Sequence, residues 1–201
     1  MKLIQAVAGV LVAAGLLFCA EASAQEKSGR FSDNTFISVT GGFNYSVPKI
    51  AKTNTWGGMG IAADVQYGKW WNPVIGTSIG WHGVTGRANV DLGKPAGTSY
   101  GLNYINAKVL WSITNTFSVN KDRVYNLALY GHLGLLMQGG DGNFFGWGGG
   151  LLNTFSVSDH WDILLDLQAL IYHRKAHDPY DAVTCCLLSY PSVSVGFAYK
   201  F

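Results

Sequence analysis

The chain has 201 residues and a formal net charge of +2, and only 13% of its residues are charged, well below the ~25% of a usual soluble domain. This balanced charge gives no support for nucleic acid or acidic partners, and no nucleic-acid partner is expected. No apolar run after the first 24 residues is long enough for a membrane helix. With 26 glycines and 13% aromatic residues, the composition favours a β-barrel that spans a membrane.

Residues 1–24 predict a secretory signal peptide. Lys2 precedes a mostly apolar stretch over residues 3–20, and Ala22 and Ala24 form the small-x-small pattern of a cleavage site. A single membrane helix over the same stretch is one alternative. A lipoprotein signal ending at Cys19 is another, although bulky Phe18 stands where a small residue is expected. Cleavage would leave residues 25–34 as a short periplasmic lead and residues 35–201 as the barrel.

Eight segments after this lead alternate apolar residues with polar or small ones. Each is long enough for a tilted membrane strand of roughly 9–11 residues. In a strand, successive side chains point to opposite faces, so such alternation places one set towards lipid and the other towards the lumen. The sequence therefore predicts an all-β fold, an eight-stranded antiparallel up-and-down transmembrane β-barrel. The segments cover residues 35–45, 58–69, 73–84, 102–113, 125–137, 144–155, 161–173 and 190–201.

The connections between these segments predict the orientation. Residues 69–72, 114–124 and 156–160 form one class, and residues 46–57, 85–101, 138–143 and 174–189 form the other. The two classes alternate along the chain. Outer-membrane barrels place short turns in the periplasm and longer loops outside. The first class is therefore assigned to the periplasmic side, together with both chain ends.

The final segment has the clearest alternation. One face is apolar and becomes aromatic towards the end, which leaves a sticky edge in a soluble protein but suits a paired strand in lipid. In the seventh segment, Ile163, Leu165 and Leu167 are predicted to face outwards and Asp162 and Asp166 inwards. The outward residues of the final segment are Val193, Val195, Phe197, Tyr199 and Phe201.

Polar residues on the inward faces predict a network in the lumen. An eight-stranded barrel has an interior just wide enough for side chains to fill. Buried charges need partners, so Lys108 is expected to neutralise one or more acidic groups. Lys200 also points inwards. A narrow ion path is the alternative. The predicted network comprises Asp64, Gln66, Lys108, His132, Asp162 and Asp166.

Other chemistry has weaker support in the sequence. His173 and His177 span a strand end and a loop, so helical metal-ligand spacing does not apply, and we expect no metal, cofactor or catalytic residue. A convergence of His82, Ser78 and Asp64 in the lumen stays open, since a triad is defined by geometry. The glycines of residues 146–150 lie in a strand with no helix after them, so they are expected to relieve crowding rather than to bind phosphate.

Two short motifs fall in the predicted loop over residues 174–189. Arg174 and Lys175 lie just beyond the apolar belt, where lipopolysaccharide phosphates would lie, and arginine matches phosphate geometry. Ordinary solvated loop charge is the alternative. Cys185 and Cys186 are adjacent, so they are expected to be free thiols or a strained vicinal disulfide.

The stretch Tyr67-Gly68-Lys69-Trp70-Trp71-Asn72-Pro73-Val74-Ile75-Gly76, with the ending Phe197-x-Tyr199-x-Phe201, resembles small outer-membrane barrels related to the OmpA transmembrane domain. The resemblance implies a Gram-negative outer-membrane location, contact with lipid and lipopolysaccharide, and recognition of the ending by the barrel-assembly machinery. The chain ends at the barrel, so the peptidoglycan-binding domain of many OmpA-type proteins is not expected.

The expected function is a structural, surface-interaction or lipid- or protein-binding role of a monomer without catalysis. A lipid-modifying barrel enzyme and a narrow pore are the alternatives. Lipid A deacylases are barrels that use a His and a Ser two residues apart on a strand. Here Lys175 follows His173 at that spacing, so the motif is absent.

Overall fold

The computed structural model describes residues 35–45, 47–49, 59–87, 99–117, 124–138, 142–176 and 184–201. Almost all of them lie in antiparallel strands. Among the helices of these residues, none has the length and apolar character needed to cross a membrane. The elements are β1 (Thr35–Tyr45), β2 (Val47–Lys49), β3 (Met59–Trp70), β4 (Ile75–Arg87), β5 (Ser99–Ser112), α1 (Ile113–Phe117), β6 (Tyr125–Gln138), β7 (Gly142–Ser156), β8 (Trp161–Ala176) and β9 (Thr184–Lys200).

The strands close into a barrel because the last one pairs with the first. β1 pairs with β3, and each strand from β3 to β8 pairs with the next one along the chain. β9 also pairs with β1, from Phe36 opposite Lys200 to Asn44 opposite Ser192. The short β2 continues this register with Val47 opposite Ser189, so β1 and β2 form one wall. The result is the predicted eight-stranded closed antiparallel barrel, which is confirmed. Closure pairs the backbone polar groups that an open sheet edge would leave unpaired.

Inside and outside alternate as the sequence predicts. Val195 is 55% exposed, while its neighbour Ser194 is 4% exposed and faces the lumen. An apolar belt of exposed side chains surrounds the barrel, which is the reverse of the arrangement in a soluble protein. The belt includes Ile37, Val39, Phe43, Ile61, Val65, Ile79, Val109, Leu133, Leu135, Phe145, Ile163, Leu167, Val193, Val195 and Phe197.

The barrel has two ends with different connections. We call the end that carries Thr35, Phe201 and residues 71–74, 113–117 and 157–160 the turn end, and the opposite end the loop end. At the turn end, the Asn72 side-chain oxygen accepts hydrogen bonds from the backbone nitrogens of Val74 (2.8 Å) and Ile75 (2.7 Å). Asparagine stabilises tight turns in this way. The short connection predicted for residues 69–72 therefore lies two residues later, at residues 71–74.

Buried side chains fill the lumen. Near the loop end, eight of them form one apolar cluster, which consists of Ala62, Val84, Leu102, Tyr104, Leu136, Leu170, Tyr172 and Tyr190. Nearer the turn end, buried apolar residues are interleaved with buried polar ones. Ala198 lies opposite Ser38 and Asp162, and Ala128 lies opposite Ser112.

Several predicted connections are shorter than expected. The predicted loop over residues 174–189 is wrong, because β8 runs to Ala176 and β9 begins at Thr184. The predicted loops 46–57, 85–101 and 138–143 likewise contain strand residues, and α1 occupies the start of the predicted connection 114–124. Backbone pairing needs no apolar side chains, so hairpins continue beyond the point where the alternation stops.

Candidate functional site

The lumen holds a buried cation between two buried carboxylates. Lys108 on β5 reaches across the barrel, and its Nζ lies 3.3 Å from Oδ2 of Asp64 on β3 and 3.8 Å from Oδ2 of Asp166 on β8. All three residues are at most 4% exposed. A buried charge without a partner is costly, so these contacts allow three charged side chains to occupy a closed lumen.

A polar cluster surrounds the Asp64 carboxylate. The Gln66 amide donates to Oδ2 of Asp64 at 3.0 Å, and the Ser78 hydroxyl donates to the Gln66 carbonyl oxygen at 3.1 Å. His82, directly opposite Asp64 in the β3–β4 pairing, places Nδ1 3.4 Å from Oδ2 of Asp64. The carboxylate is thereby held at one wall of the lumen with its charge facing Lys108.

Tyr130 and Gln168 complete the Asp166 side. The Tyr130 hydroxyl donates to Oδ1 of Asp166 at 2.6 Å, and Lys108 Nζ donates to Oε1 of Gln168 at 3.3 Å. The Lys108 ammonium also lies 4.8 Å from the centre of the Tyr130 ring, in cation–π range. Tyr130 and Gln168 are not among the network residues predicted from the sequence. The alternation of β6 and β8 places both side chains inwards, but an inward position does not by itself specify which groups a side chain contacts.

The other two predicted lumen residues, His132 and Asp162, have hydrogen-bond partners other than Lys108. His132 Nε2 lies 3.1 Å from the Ala169 carbonyl oxygen, and His132 Nδ1 lies 2.9 Å from the Tyr104 hydroxyl. A carbonyl oxygen only accepts, so Nε2 carries a hydrogen. Asp162 pairs instead with Lys200 at 2.8 Å, at the turn end. Of the six predicted residues, Asp64, Gln66, Lys108 and Asp166 therefore share one network.

The three residues considered as a possible triad do not assemble. His82 contacts Asp64, but the Ser78 hydroxyl is directed to Gln66. Ser78 and His82 are four residues apart on one extended strand, which separates them by about 13 Å. Among the described residues, no group of three or more His, Cys, Asp or Glu side chains is arranged to hold a metal ion. Chemically, the network can neutralise charge and fix the positions of the strands.

A small cavity adjoins the network. It has about 20 Å³ of space for the centre of a water-sized molecule, and Asp64, Lys108, Tyr130 and Asp166 line one part of it. That is enough for about one water molecule. Thr40 also lines the cavity, and its hydroxyl has no hydrogen-bond partner within the described part of the chain.

Inward glycines of β7 make room for this network. A Cβ atom added at any of three alternate positions would lie too close to a large lumen side chain on β5 or β6. This is the relief of crowding that the sequence predicts for residues 146–150. The close approaches to side chains would be Gly146 to Tyr104 Cε2 (2.9 Å), Gly148 to His132 Nε2 (2.8 Å) and Gly150 to Tyr130 Oη (2.5 Å). At Gly148 and Gly150 the nearest atom is instead a carbonyl oxygen of β8, that of Ala169 and that of Leu167 respectively.

Gly150→Ala should lower the free energy of unfolding by about 1–3 kcal/mol, the usual cost of overpacking. The added methyl group would clash with the Leu167 carbonyl oxygen on β8 and with the Tyr130 hydroxyl that donates to Asp166. Urea unfolding in lipid vesicles measures the effect. Gly131→Ala is the matched control, because Gly131 faces outwards and an added Cβ would meet its nearest atom at 3.9 Å. Equal losses in the two variants would contradict this packing.

The other predicted site residues lie outside the lumen network. Arg174 and Lys175 are in β8, with their backbones opposite Cys186 and Cys185 of β9, so neither pair lies in a loop as expected. The side chains of these four residues lie outside the described part of the structure. Phe197 and Phe201 are exposed at the outer surface, and the partly buried Tyr199 ring packs against Phe201 with 5.3 Å between ring centres.

Comparison with known proteins identifies the fold. No protein-family model matches the chain, and no curated protein is similar to it. The structure is similar to that of Neisserial surface protein A, with a TM-score of 0.61 and 11% identity over 84% of this chain and 97% of that chain. OprG from Pseudomonas aeruginosa gives a TM-score of 0.45 and 14% identity over 86% and 98%. The chain therefore has the fold of small outer-membrane β-barrel proteins.

Proposed function

We propose that this protein is an integral outer-membrane barrel, related to the OmpA transmembrane domain, with a structural or surface-interaction role and no catalysis. The single observation that carries the role is the lumen, in which Lys108 is paired with Asp64 and Asp166 on the turn-end side of an apolar cluster. Such a paired interior stabilises a barrel by fixing its strands to one another, which supports the proposed structural role.

The exterior supports the membrane assignment. Bulky apolar side chains cover the outward faces of the described strands, and lipid is the solvent that suits such a surface. Three polar side chains on the outward face accept hydrogen bonds from aromatic residues. Trp71 Nε1 donates to Thr77 (2.8 Å), Trp81 Nε1 donates to Asn103 (3.1 Å), and the Tyr125 hydroxyl donates to Asn153 (2.8 Å). Tryptophan and tyrosine with one polar partner are typical of the membrane–water boundary.

The proposed orientation puts the turn end in the periplasm and the loop end outside the cell. Outer-membrane lipid and lipopolysaccharide are the proposed partners, with Arg174 and Lys175 as the phosphate contacts. These two residues belong to the part of the β8–β9 hairpin that continues beyond Tyr172, where pairing of β8 with β7 stops. The protein would be secreted with cleavage after residue 24 and would act as a monomer.

Four measurements test this proposal: membrane extraction, gel migration, bilayer conductance and turnover of lipid A. The mature chain should leave outer membranes only with detergent, and its gel migration should change on heating because a closed barrel resists unfolding. Purified protein in planar bilayers should give no stepwise conductance. Recovery from the soluble periplasm would refute the membrane barrel. Steady conductance would contradict the structural role and favour a narrow pore. Turnover of purified lipid A would contradict it and favour a lipid-modifying enzyme.

Phe201→Asp should reduce the amount of assembled barrel far more than Lys200→Gln. Phe201 is 40% exposed on the outer surface, and its backbone nitrogen donates to the Thr35 carbonyl oxygen at 3.0 Å. A carboxylate there would stand at the lipid boundary and alter the ending that assembly factors are proposed to read. Quantifying heat-modifiable protein in outer-membrane fractions measures the difference. Equal yields from both variants would contradict the proposed role of Phe201.

A further inference from the structure

The polar network in the lumen contains two carboxylates and one ammonium group. Asp64 and Asp166 are each at most 4% exposed, and Lys108 Nζ lies 3.3 Å from the first carboxylate and 3.8 Å from the second. The other buried carboxylate of the described residues, Asp162, is already paired with Lys200 at the turn end. A buried charge without a partner is costly, so a second cation is expected beside Asp64 and Asp166.

Hydrogen-bond lengths indicate that Asp166 is ionised and that His82 does not supply the missing positive charge. The Tyr130 hydroxyl donates to Oδ1 of Asp166 at 2.6 Å, in the range of roughly 2.5–2.7 Å for a hydroxyl bound to a carboxylate. An imidazolium would approach its carboxylate to about 2.7–2.9 Å. His82 Nδ1 lies 3.4 Å from Oδ2 of Asp64, and neither ring nitrogen has a hydrogen-bond partner within the described residues. The network therefore keeps one uncompensated negative charge.

The small cavity beside the network is lined by three residues whose oxygens can accept a further partner. Thr40, Asp64 and Asp166 all line it, and it has about 20 Å³ of space for the centre of a water-sized molecule. Thr40 is 4% exposed, stands directly opposite Asp64 in the β1–β3 pairing, and has a hydroxyl without a partner in the described part of the chain. Oδ1 of Asp64 and Oδ2 of Asp166 lie 3.5 Å and 3.8 Å from Lys108 Nζ, so a closer cation can still approach both.

We propose that this cavity binds one monovalent cation of the size of potassium or ammonium, held by the Thr40 hydroxyl and the carboxylates of Asp64 and Asp166. Such an ion is about as large as the single water molecule for which the cavity has room. Oxygen atoms are the ligands of hard cations, and a single positive charge balances the network, whereas a divalent ion would leave it positively charged. The three ligands come from β1, β3 and β8, so no spacing in the sequence reveals them.

The bound ion would join the first strand to the network across the lumen. Thr40 on β1 also stands opposite Gly196 on β9, at the seam where the barrel closes. An ion between Thr40 and Asp166 would therefore link this seam to β8 through the lumen as well as through the wall. The site requires only the closed lumen, so it goes beyond the proposed structural role and can fail without it.

Potassium-dependent unfolding tests the site. The mature chain is refolded into phosphatidylcholine vesicles and unfolded with urea at constant pH and ionic strength, while potassium replaces N-methylglucamine, a cation too large for the cavity. A ligand that binds only the folded state stabilises it in proportion to its concentration once the site is filled. We expect the folded-to-unfolded ratio to rise by up to about tenfold for each tenfold increase in potassium.

Three variants locate the effect. Asp166→Asn makes the network neutral, so the potassium dependence should disappear, and Thr40→Val should weaken it by removing one ligand while keeping the size of the side chain. Asp162→Asn is the matched control, since that carboxylate is paired with Lys200 at the turn end, and it should retain the dependence. A wild-type chain that does not respond to potassium would show that the cavity holds only water. An unchanged response in both Asp166→Asn and Thr40→Val would place the ion elsewhere. Either result would overturn the site.

Thallium(I) locates the ion directly, because it replaces potassium in protein sites and scatters X-rays anomalously. In crystals of the mature chain grown with thallium(I), we expect one anomalous peak in the lumen, in contact with Thr40, Asp64 and Asp166. Absence of that peak would overturn the site even if the variants fail to fold. It would leave the proposed membrane role intact, since that role is judged by extraction, gel migration and conductance.

Discussion

Replacing Lys108 with methionine should lower the free energy of unfolding by about 3–5 kcal/mol, because removing one member of a buried ion pair leaves uncompensated charge. Here the loss leaves both Asp64 and Asp166 without their cation in a closed lumen. Methionine has a similar length and is apolar, so the variant changes the charge more than the packing. Equilibrium urea unfolding in vesicles, followed by tryptophan fluorescence, measures the difference.

A triple variant separates charge from packing. Adding Asp64→Asn and Asp166→Asn to Lys108→Met removes both orphaned carboxylates, and most of the lost stability should return. Replacement of a buried ion network by neutral groups is often nearly neutral. A triple variant as unstable as the single one would show that Lys108 acts through its packing against Tyr130. A small loss in the single variant would contradict the buried network altogether.

Leu167→Arg should cost about 2–4 kcal/mol, the range for a cation near the bilayer midplane on the lipid face of a barrel. Leu167 lies between Leu151 on β7 and Val193 on β9, with apolar neighbours on both sides. The penalty reflects depth in the membrane, so it should fall towards the turn end. The same unfolding measurement quantifies it.

Leu165→Arg is the depth control. Leu165 lies one outward position nearer the turn end, opposite Asn153. The Asn153 side-chain oxygen accepts a hydrogen bond from the Tyr125 hydroxyl at the aromatic boundary. An arginine there can extend to the headgroups, so we expect a smaller loss than at Leu167. A larger loss at Leu165, or none at either position, would contradict the assigned placement of the belt.

The barrel could be predicted from the sequence because side chains along a strand alternate with a period of two. Each apolar residue of the alternation therefore indicates which face of the strand points outwards. The alternation predicts all eight strands of the barrel wall and puts Asp64, Lys108 and Asp166 on inward faces, where all three are buried. Their partners were less predictable. Tyr130 and Asp166 are 36 residues apart in the chain, and their 2.6 Å contact depends on barrel closure and strand stagger, which periodicity does not specify.

The alternation pattern did not predict the structure at the ends of the barrel. The β8–β9 hairpin continues to Ala176 and Thr184 through residues with no alternation, because its backbone pairing is independent of side-chain polarity. Helix α1 has only five residues, which is too short for a helical period to be recognised. Its position depends on the hydrogen bond between Trp111 and Thr116 and on the contact with the neighbouring turn.

Residue-by-residue labelling of β8 tests the barrel most directly. Cysteines are placed singly at positions 162 to 167 in a background with Cys185 and Cys186 replaced, and the refolded protein reacts with a lipid-soluble thiol reagent. We expect reaction at 163, 165 and 167, which face outwards, and protection at 162, 164 and 166, which face the filled lumen. The reverse pattern would mean a register shifted by one residue, and reactivity that repeats every three to four residues would mean a helix and would contradict the barrel.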